Sequence, residues 1–297
     1  MSGNRLYGCV EAGGTKFVCS LGNDDGLIGE RARIATTTPE QTLAEVRAFF
    51  TAAAARHGPI DAYGIGSFGP IDRDRASPGW GRILKTPKPH WTDAALVAGI
   101  VGDAGVPTGF DTDVAAAAMA EATVGAIGGI VVYVTVGTGI GGGVVVDGVP
   151  LDGERHAEMG HFRVPRHLAD TGFAGRCPYH GDCLEGIACG PAIVDRWGCS
   201  LSDLPDGHVG HEIVAQALAH LSITLIATLS PRRIALGGGV LHTPGLIDRI
   251  RAEARRLNTG YLLPDEAIDA VVAPTALDGE AGLLGALMLA RRAAQID

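Results

Sequence analysis

The chain has 297 residues, of which 46% are hydrophobic and 19% are charged, so it is able to bury a sizeable core and its composition argues against disorder. Its length suits one large domain or two of ordinary size. The 24 basic and 33 acidic residues give a formal charge of −9 without any basic run, which argues against nucleic acid as a partner. Small anions are compatible with this charge, because backbone N–H groups supply local positive potential.

The sequence predicts a soluble cytoplasmic protein with no membrane partner. Its first residues lack the basic region, apolar stretch and cleavage site of a signal peptide. Residues 129–146 carry no charge, but glycines interrupt them and β-branched residues are frequent. This pattern favours two buried strands joined by a loop over a membrane helix. In a cytoplasmic setting the six cysteines are not expected to form disulfides.

The first elements of the chain are marked by glycine and by helix caps. Residues 6–24 indicate a strand, a tight glycine turn and a second strand. The next segment predicts a helix that has Thr38 as its N-cap and Gly58 as its stop. Pro39 stands at its first position, and Gln41 completes a capping box.

Strands and helices continue to alternate after that helix. The predicted elements are a strand over 62–72 that runs into a loop, a short strand and an alanine-rich helix over 107–125, a hairpin around 136–143, a helix near 190–198, a long helix over 210–229, a strand over 232–240, a helix from Pro244 or Gly245, a last strand over 269–274 and a last helix over 279–293. This order predicts an α/β fold of two domains with a cleft between them and a boundary near 115–125.

Three glycine-rich stretches each follow a predicted strand: EAGGTK (11–16), GTGIGG (137–142) and LGGGV (236–240). The first is not a Walker A loop, because Lys16 follows Thr15 and a strand comes next where that loop opens a helix. The second is not a dinucleotide fingerprint, since a strand follows it as well. Each alone is typical of a β-turn, but together they indicate backbone N–H groups offered to phosphates, or close approach to a flat base.

Two acidic residues mark the start of the alanine-rich helix. Asp111 and Asp113 precede it, in a position where an aspartate serves as a helix N-cap. A carboxylate in such a place also suits a general base that acts on a hydroxyl group. The residues alone leave both interpretations open.

The spacing Cys-x2-His-x2-Cys at 177–183 is typical of a metal loop. It offers three ligands to a tetrahedral ion such as zinc. His161 would complete the set, and His156 and His167 compete with it as the fourth ligand by proximity in the chain. By itself the motif is also compatible with a mixed surface loop.

These motifs, in this order, resemble the ROK family of repressors, open reading frames and sugar kinases, within the actin-like ATPase superfold. The match runs from about residue 7 to about residue 285, nearly the whole chain. The resemblance implies two α/β domains of the actin-like ATPase (ribonuclease H-like) type. Residues 1–117 with about 282–297 would form the smaller one, and residues 118–281 the larger one that carries the metal loop.

The resemblance implies ATP and Mg²⁺ as cofactors. In the family, two hairpin loops hold phosphates from opposite domains and a third glycine turn supports adenosine. Where the family usually has Asp, this chain has Glu11, whose longer side chain is able to order Mg²⁺ through water. The implied nucleotide-binding residues are Gly13, Gly14, Thr15, Lys16, Gly137, Thr138, Gly139, Pro191, Gly237, Gly238, Gly239 and Val240.

The same resemblance assigns roles toward the sugar. Asp113 is implied as the catalytic base, with Thr112 before it where most glucokinases of the family have Asn. Glu158 and His161 in EMGH, and Glu185 in LEG, are implied to bind sugar hydroxyls. Without the family, both glutamates would be read as surface carboxylates.

The metal loop matches the fructokinase branch of the family, in which His replaces one Cys, as it does in CPYHGDCLEG. EAGGTKFVC, GIGSFGPID, TPKP, GFDTDV and GPAIVDRWG match that branch as well. The resemblance therefore implies that ATP phosphorylates D-fructose, giving fructose 6-phosphate. It also implies a structural zinc that pins the sugar-binding loop, with the second ring nitrogen of its histidine ligand turned toward the sugar. The implied zinc ligands are His161, Cys177, His180 and Cys183.

The sequence leaves three alternatives to this function. The nearest is another hexose kinase of the family, acting on glucose, mannose or an N-acetyl sugar. A sugar-sensing regulator is more distant, because such members carry an N-terminal helix-turn-helix and only ten residues precede Glu11 here. A zinc-binding interaction module leaves the glycine loops and Asp113 unexplained. Members of the family are commonly dimers, so a homodimer is expected.

Overall fold

The structure is a computed structural model that describes residues 5–102, 105–170 and 172–296. The chain divides into two compact units. The first unit comprises Met1–Ala120, Asp152–His156 and Gly279–Asp297, and the second comprises Glu121–Leu151 and Ala157–Asp278. The short segment Asp152–His156 groups with the first unit, although it lies between two stretches of the second. Residues 1–4, part of the stretch examined for a signal peptide, lie outside the described residues.

The described residues form ten strands and nine α-helices, connected by loops and short 3₁₀ turns. The strands are β1 (Tyr7–Ala12), β2 (Lys16–Gly22), β3 (Leu27–Ala35), β4 (Ala62–Ser67), β5 (Thr108–Thr112), β6 (Ile130–Val136), β7 (Ile140–Val146), β8 (Val149–Pro150), β9 (Arg233–Gly237) and β10 (Val272–Pro274). The helices are α1 (Pro39–His57), α2 (Leu96–Val101), α3 (Asp113–Val124), α4 (Leu184–Ala188), α5 (Gly190–Trp197), α6 (Val209–Leu229), α7 (Leu246–Asn258), α8 (Ile268–Val271) and α9 (Ala281–Ile296).

Each unit is built on one five-stranded sheet, and the two sheets share a topology. The first sheet has the order β3-β2-β1-β4-β5 and the second has the order β10-β9-β6-β7-β8. In each, three consecutive strands pair antiparallel, and two later strands add in parallel beside the first of the three. The parallel strands are reached through helical connections, as parallel pairing requires. The predicted α/β fold is therefore confirmed.

Local signals predicted most elements correctly. Helix α1 begins at Pro39, and the Thr38 hydroxyl accepts a hydrogen bond from the N–H of Gln41 at 3.4 Å. The side-chain oxygen of Gln41 accepts from the Thr37 hydroxyl at 3.1 Å, one residue earlier than a capping box requires, so that detail of the prediction was wrong. The C-cap is Gly58, as expected.

Other elements differ from the prediction. The stretch 269–274 was predicted as a strand, but its first residues belong to the helical turn α8, and only Val272–Pro274 pair with β9. Strands β3 and β8 and helices α2 and α4 were not predicted from the sequence. Strand β3 is an edge strand and is largely exposed, so it lacks the apolar alternation that marks a half-buried strand.

Helix α6 is long and apolar enough to span a membrane by length and composition alone. Its most apolar window is 56% buried, and it contributes Leu218 and Leu221 to the core of the second unit. Each fully buried leucine stabilises the folded state by roughly 1.5–3 kcal/mol. These features are those of a core helix. The apolar stretch 129–146 forms the hairpin of β6 and β7, as predicted.

Glycines on two parallel strands allow α9 to pack directly on the sheet of the first unit. A Cβ atom at Gly64 would lie 1.8 Å from the carbonyl oxygen of Ala286, and one at Gly109 would lie 2.2 Å from that of Leu289. Both obstacles are backbone atoms of α9, which cannot turn away as a flexible side chain can. The close contact of the helix with β4 and β5 therefore depends on the missing side chains.

We expect Gly64→Ala to destabilise the protein by about 3 kcal/mol or more, because the new methyl group must displace α9. Urea unfolding followed by circular dichroism measures this change. Gly128→Ala is the matched control, since a Cβ there meets only the Asp147 side chain at 3.8 Å. Equal stability of the two variants would contradict the packing argument.

Candidate functional site

In the first unit, three strands end together at one edge of the sheet. Strands β1, β4 and β5 run parallel, and their last residues are in register: Ala12 pairs with Ser67, and Ser67 pairs with Thr112. The glycine turn at 13–15 follows β1, and Asp113 follows β5 directly. Ligands of α/β sheets bind at the carboxyl ends of the strands, so this edge is where the fold favours a site.

Asp113 is the first residue of α3 and is half-buried. Burial raises the pKa of its carboxyl to about 7, the N–H of Val114 opposes this rise by donating to Oδ1 at 2.9 Å, and the nearby Glu11 carboxyl adds to it. A carboxyl with a pKa near the operating pH is well placed to accept a proton from a hydroxyl group.

The two acids at the start of α3, Asp111 and Asp113, have different partners. Asp111 is buried and binds the guanidinium of Arg73 at 2.8 Å. Burial raises the pKa of Asp111, and Arg73 opposes that rise. Neither acid caps the helix, because the hydroxyl of Thr112 accepts from the N–H of Ala115 at 3.1 Å. The N-cap residue of α3, for which the sequence suggested an aspartate, is thus Thr112. The Asp113 carboxyl is therefore not used as the cap and is available for other chemistry.

The first predicted phosphate loop is a braced hairpin turn with exposed backbone. The N–H of Gly13 donates to the carbonyl oxygen of Lys16 at 3.0 Å, and the Thr36 hydroxyl donates to the carbonyl oxygen of Gly13 at 2.7 Å. Residues 14–16 are exposed. Burial raises the pKa of Glu11, and the nearby Lys16 ammonium opposes the rise. The turn is thus held in place while its tip remains open to a ligand.

In the second unit, the other two predicted glycine loops follow neighbouring parallel strands. Thr135 of β6 pairs with Gly237 of β9, so the loop at 137–139 and the turn at 237–239 lie at the same edge of the sheet. Gly238 has φ +91°, and a Cβ there would lie 2.6 Å from backbone atoms of Val136. The two loops therefore pack backbone against backbone.

Helix α5 begins against the same loops. The N–H of Gly190 donates to the carbonyl oxygen of Gly137 at 2.7 Å. A Cβ at Gly190 would lie 3.8 Å from the side chain of Val240. The structure therefore gathers the second-unit members of the predicted nucleotide set: Gly137, Thr138, Gly139, Pro191, Gly237, Gly238, Gly239 and Val240. The remaining four, Gly13, Gly14, Thr15 and Lys16, belong to the first unit.

The predicted metal ligands converge in the second unit. Among the described residues, one ligand atom from each of His161, Cys177, His180 and Cys183 lies within 4.8 Å of the other three. Nδ1 of His161 is 3.6 Å from each cysteine sulfur, and Nδ1 of His180 is 3.6 Å from the sulfur of Cys177. Zn–S bonds of about 2.3 Å and Zn–N bonds of about 2.0–2.1 Å at a tetrahedral angle give a sulfur–nitrogen separation of about 3.6 Å. The donor set and its spacing fit zinc.

His167 and His156, the alternatives for the fourth ligand, lie outside the cluster. Nδ1 of His167 accepts from the N–H of Ala169 at 3.0 Å within its own loop. His156 groups with the first unit and lies against Gly69. Neither belongs to the cluster of four, so His161 is the histidine that completes the set.

The metal loop is held by backbone bonds and by Arg166, which lies 3.6 Å from the carboxylate of Asp182 in the loop. Cys177 and Gly181 exchange two backbone hydrogen bonds, of 3.1 and 2.9 Å, which return the chain so that His180 faces Cys177. Nearby, the buried carboxylate of Asp170 binds the guanidinium groups of Arg166 and Arg196. This group of charges was not predicted from the sequence, because no local pattern distinguishes it from solvated surface residues.

His161 joins the metal cluster to both predicted sugar-binding glutamates. While its Nδ1 faces the thiols, its Nε2 lies 3.9 Å from a carboxylate oxygen of Glu158 and 3.9 Å from one of Glu185. The other oxygen of Glu185 accepts from the N–H of Ile140 at 2.9 Å, next to the second glycine loop. These side chains form a polar surface of two carboxylates and one imidazole edge, which is suited to several hydroxyl groups of one ligand.

Close backbone packing sets the position of His161. It ends the 3₁₀ turn Met159–His161, and a Cβ at the preceding Gly160 would lie 2.0 Å from the carbonyl oxygen of Ile140. The turn can therefore rest directly on β7 only with glycine at that position. This explains why glycine and histidine stand side by side in EMGH.

The fold and this arrangement have counterparts among known proteins. A family model described as "ROK family" matches residues 7–293. A fructokinase from Zymomonas mobilis is 44% identical, over 96% of this chain and 96% of its own length. Among solved structures, a ROK hexokinase from Thermus thermophilus is 25% identical, with a TM-score of 0.79 over 98% of this chain and all of the other. A ROK family glucokinase from Streptomyces griseus, solved with glucose and AMPPNP, is 27% identical. Its TM-score is 0.73, over 98% of this chain and all of the glucokinase chain.

The chain therefore belongs to the ROK family. This confirms the resemblance found in the sequence and, with the two structural relatives, the predicted fold class of two actin-like ATPase units. The roles of individual residues rest on the geometry described above.

Proposed function

We propose that this protein is a fructokinase, which transfers the γ-phosphoryl group of ATP to D-fructose and forms fructose 6-phosphate. The observation that carries this proposal is the 44% identity, over nearly the full length of both chains, to a protein named fructokinase. The Cys-x2-His-x2-Cys loop, completed by His161, supports the same branch of the family. The glucokinase of known structure is more distant, at 27% identity.

In the proposed reaction, Asp113 accepts the proton of the primary hydroxyl group of the sugar. As that oxygen forms a bond to the γ-phosphorus, the bond from phosphorus to the β,γ-bridging oxygen breaks and ADP leaves. Glu158, His161 and Glu185 would hold other hydroxyl groups of the hexose. Backbone N–H groups of the glycine loops, with Lys16, would stabilise the phosphates. Mg²⁺, when bound, neutralises phosphate charge, and Glu11 is the carboxylate of the first loop that would order it.

Zinc in this protein would be structural. His161, Cys177, His180 and Cys183 fill all four positions of a tetrahedral ion, which leaves none for a reacting water. Its contribution would be to fix the ring of His161, and with it the two glutamates near Nε2. The proposal includes a homodimer in the cytoplasm, with ATP and hexose as the only partners of the site, and the predicted domain limits of 1–117 with about 282–297 and 118–281.

An assay of ADP release against a panel of hexoses tests the function directly. We expect fructose to give the highest kcat/KM, and an excess of at least about tenfold over glucose, mannose and N-acetylmannosamine corresponds to about 1.4 kcal/mol of discrimination. The phosphorylated product is identified by conversion with phosphoglucose isomerase. A higher kcat/KM with glucose would favour the second candidate, a glucokinase like the structural relative solved with glucose. No turnover with any hexose would refute both.

A further inference from the structure

A buried carboxylate lies beside the metal loop, residues 177–183. The side chain of Asp170 is only 1% exposed, and each of its two oxygens faces a different guanidinium group. Its Oδ2 lies 2.6 Å from Nε of Arg166, and its Oδ1 contacts Arg196. A buried charge is costly unless it is paired, so the two arginines are what allow this carboxylate to leave water.

Arg196 is fixed in turn by two aromatic side chains. It lies in α5, and its Cζ is 5.5 Å from the ring centre of Phe173 and 4.7 Å from that of Trp197. The face of an aromatic ring attracts a cation at such distances. Asp170 is therefore anchored to a helix of the second unit and to the rings that pack around its partner.

Arg166 extends from this anchor to the metal loop. While its Nε binds Asp170, its Nη1 lies 3.6 Å from a carboxylate oxygen of Asp182. Its Nη2 donates to the carbonyl oxygen of Phe173 at 2.8 Å, so all three nitrogens of the guanidinium group have a partner. Asp182 directly precedes the metal ligand Cys183. The bridge thus joins a buried anchor to the residue beside a ligand.

A second arginine also reaches Asp182 but is less well placed to hold it. Arg163 contacts the other carboxylate oxygen of Asp182 and donates to the carbonyl oxygen of His180 at 3.2 Å. Its side chain is 67% exposed, against 25% for Arg166. Exposed ion pairs contribute little, because solvent screens them and the long side chains lose entropy. Arg166 is therefore the stronger tie on Asp182.

We propose that Arg166 is a positioning residue for the metal: with Asp170 as its buried anchor, it holds Asp182 so that the adjacent Cys183 is in place before zinc binds. This inference rests on the structural zinc of the proposed function and names the residues that prepare its site. A loop that is already ordered loses less conformational entropy when the ion binds, which raises the affinity.

Replacing Arg166 by Lys separates the bridge from the charge. Lys keeps a cation beside Asp170, so the buried carboxylate stays paired, but one ammonium group does not span two carboxylates. We expect Arg166→Lys to raise the Kd for zinc about tenfold, measured by competition with a colorimetric chelator. Arg251→Lys is the matched control, because Arg251 also lies 3.6 Å from each of two aspartates, Asp248 and Asp269, and neither adjoins the metal loop. Its Kd for zinc should equal that of wild type.

A second substitution tests whether the effect passes through Asp182. Asp182→Asn, at a half-buried position, removes the other end of the bridge and should also raise the Kd for zinc about tenfold. Combined with Arg166→Lys it should add little, because both changes break the same contact. Independent effects would instead multiply to about a hundredfold, and that result would overturn the bridge.

The outcomes separate this inference from the proposed function. An unchanged Kd for zinc in Arg166→Lys would overturn the role of Arg166. An unchanged Kd in Asp182→Asn would do the same, and that variant decides the matter if Arg166→Lys does not fold, which thermal melting shows. Wild-type protein that binds no zinc would refute the metal site and this inference together. Failure to phosphorylate any hexose, with the zinc results as expected, would refute the kinase function and leave the role of Arg166 intact.

Discussion

Replacing Asp113 by Asn is expected to lower kcat for fructose phosphorylation by at least about 10³-fold, within the range of about 10²–10⁴ that a general base contributes. The amide keeps the size of the side chain and the oxygen that accepts from Val114, so the start of α3 should be preserved. It cannot accept the proton of a hydroxyl group. Because the sugar-binding residues are unaltered, fructose binding measured by calorimetry should largely survive.

The pH dependence of the wild-type enzyme should report the same carboxyl. A base works only when deprotonated, and the pKa of Asp113 is raised to about 7. Thus kcat/KM should fall as pH drops through about 7, approaching a tenfold loss per pH unit below that value. Asp25→Asn, in the exposed turn between β2 and β3, is the control and should leave both rate and pH profile unchanged. Near-normal turnover by Asp113→Asn would refute the assignment of the base.

The second large effect is expected at the metal cluster. Freshly purified protein should contain one zinc per chain, and Cys183→Ser should retain less than about a tenth of it, because a fully buried thiolate ligand is lost. Metal binding is coupled to folding, so the variant should melt about 5 °C or more below wild type. Its KM for fructose should rise, since His161 loses the ion that fixes its ring. Elemental analysis, differential scanning calorimetry and steady-state kinetics measure the three effects.

Cys199→Ser supplies the control for the metal experiment. Cys199 is half-buried and lies outside the cluster, so this variant should keep its zinc and its KM for fructose. A wild-type protein without zinc, with activity indifferent to chelators, would refute the metal site. Equal zinc content in Cys183→Ser and wild type would show that the ion is held elsewhere.

Predictions from the sequence succeeded where the structure depends on interactions between residues close in the chain, and failed where it depends on distant ones. Helix α1 was predicted to the residue because its cap, its first-turn proline and its terminal glycine act within a few residues of the helix ends. Strand β3 was missed because an exposed edge strand has no buried face to impose alternation. The stretch at 269–274 was misassigned because pairing with β9, a distant segment, selects only its last three residues as strand.

The sequence by itself determined the types of residue that the chemistry needs, in an order that identifies the family: the glycine turns, Asp113, EMGH and the Cys-x2-His-x2-Cys loop. Three choices were decided only by the tertiary structure. Packing of the turn at Gly160 on β7 selected His161 as the fourth metal ligand, 22 residues from Cys183. Burial of Asp113 raised the pKa of its carboxyl, and grouping of Asp152–His156 with the first unit placed His156 at Gly69. Each choice depends on a distance or a desolvation between segments remote in the chain, which no local pattern encodes.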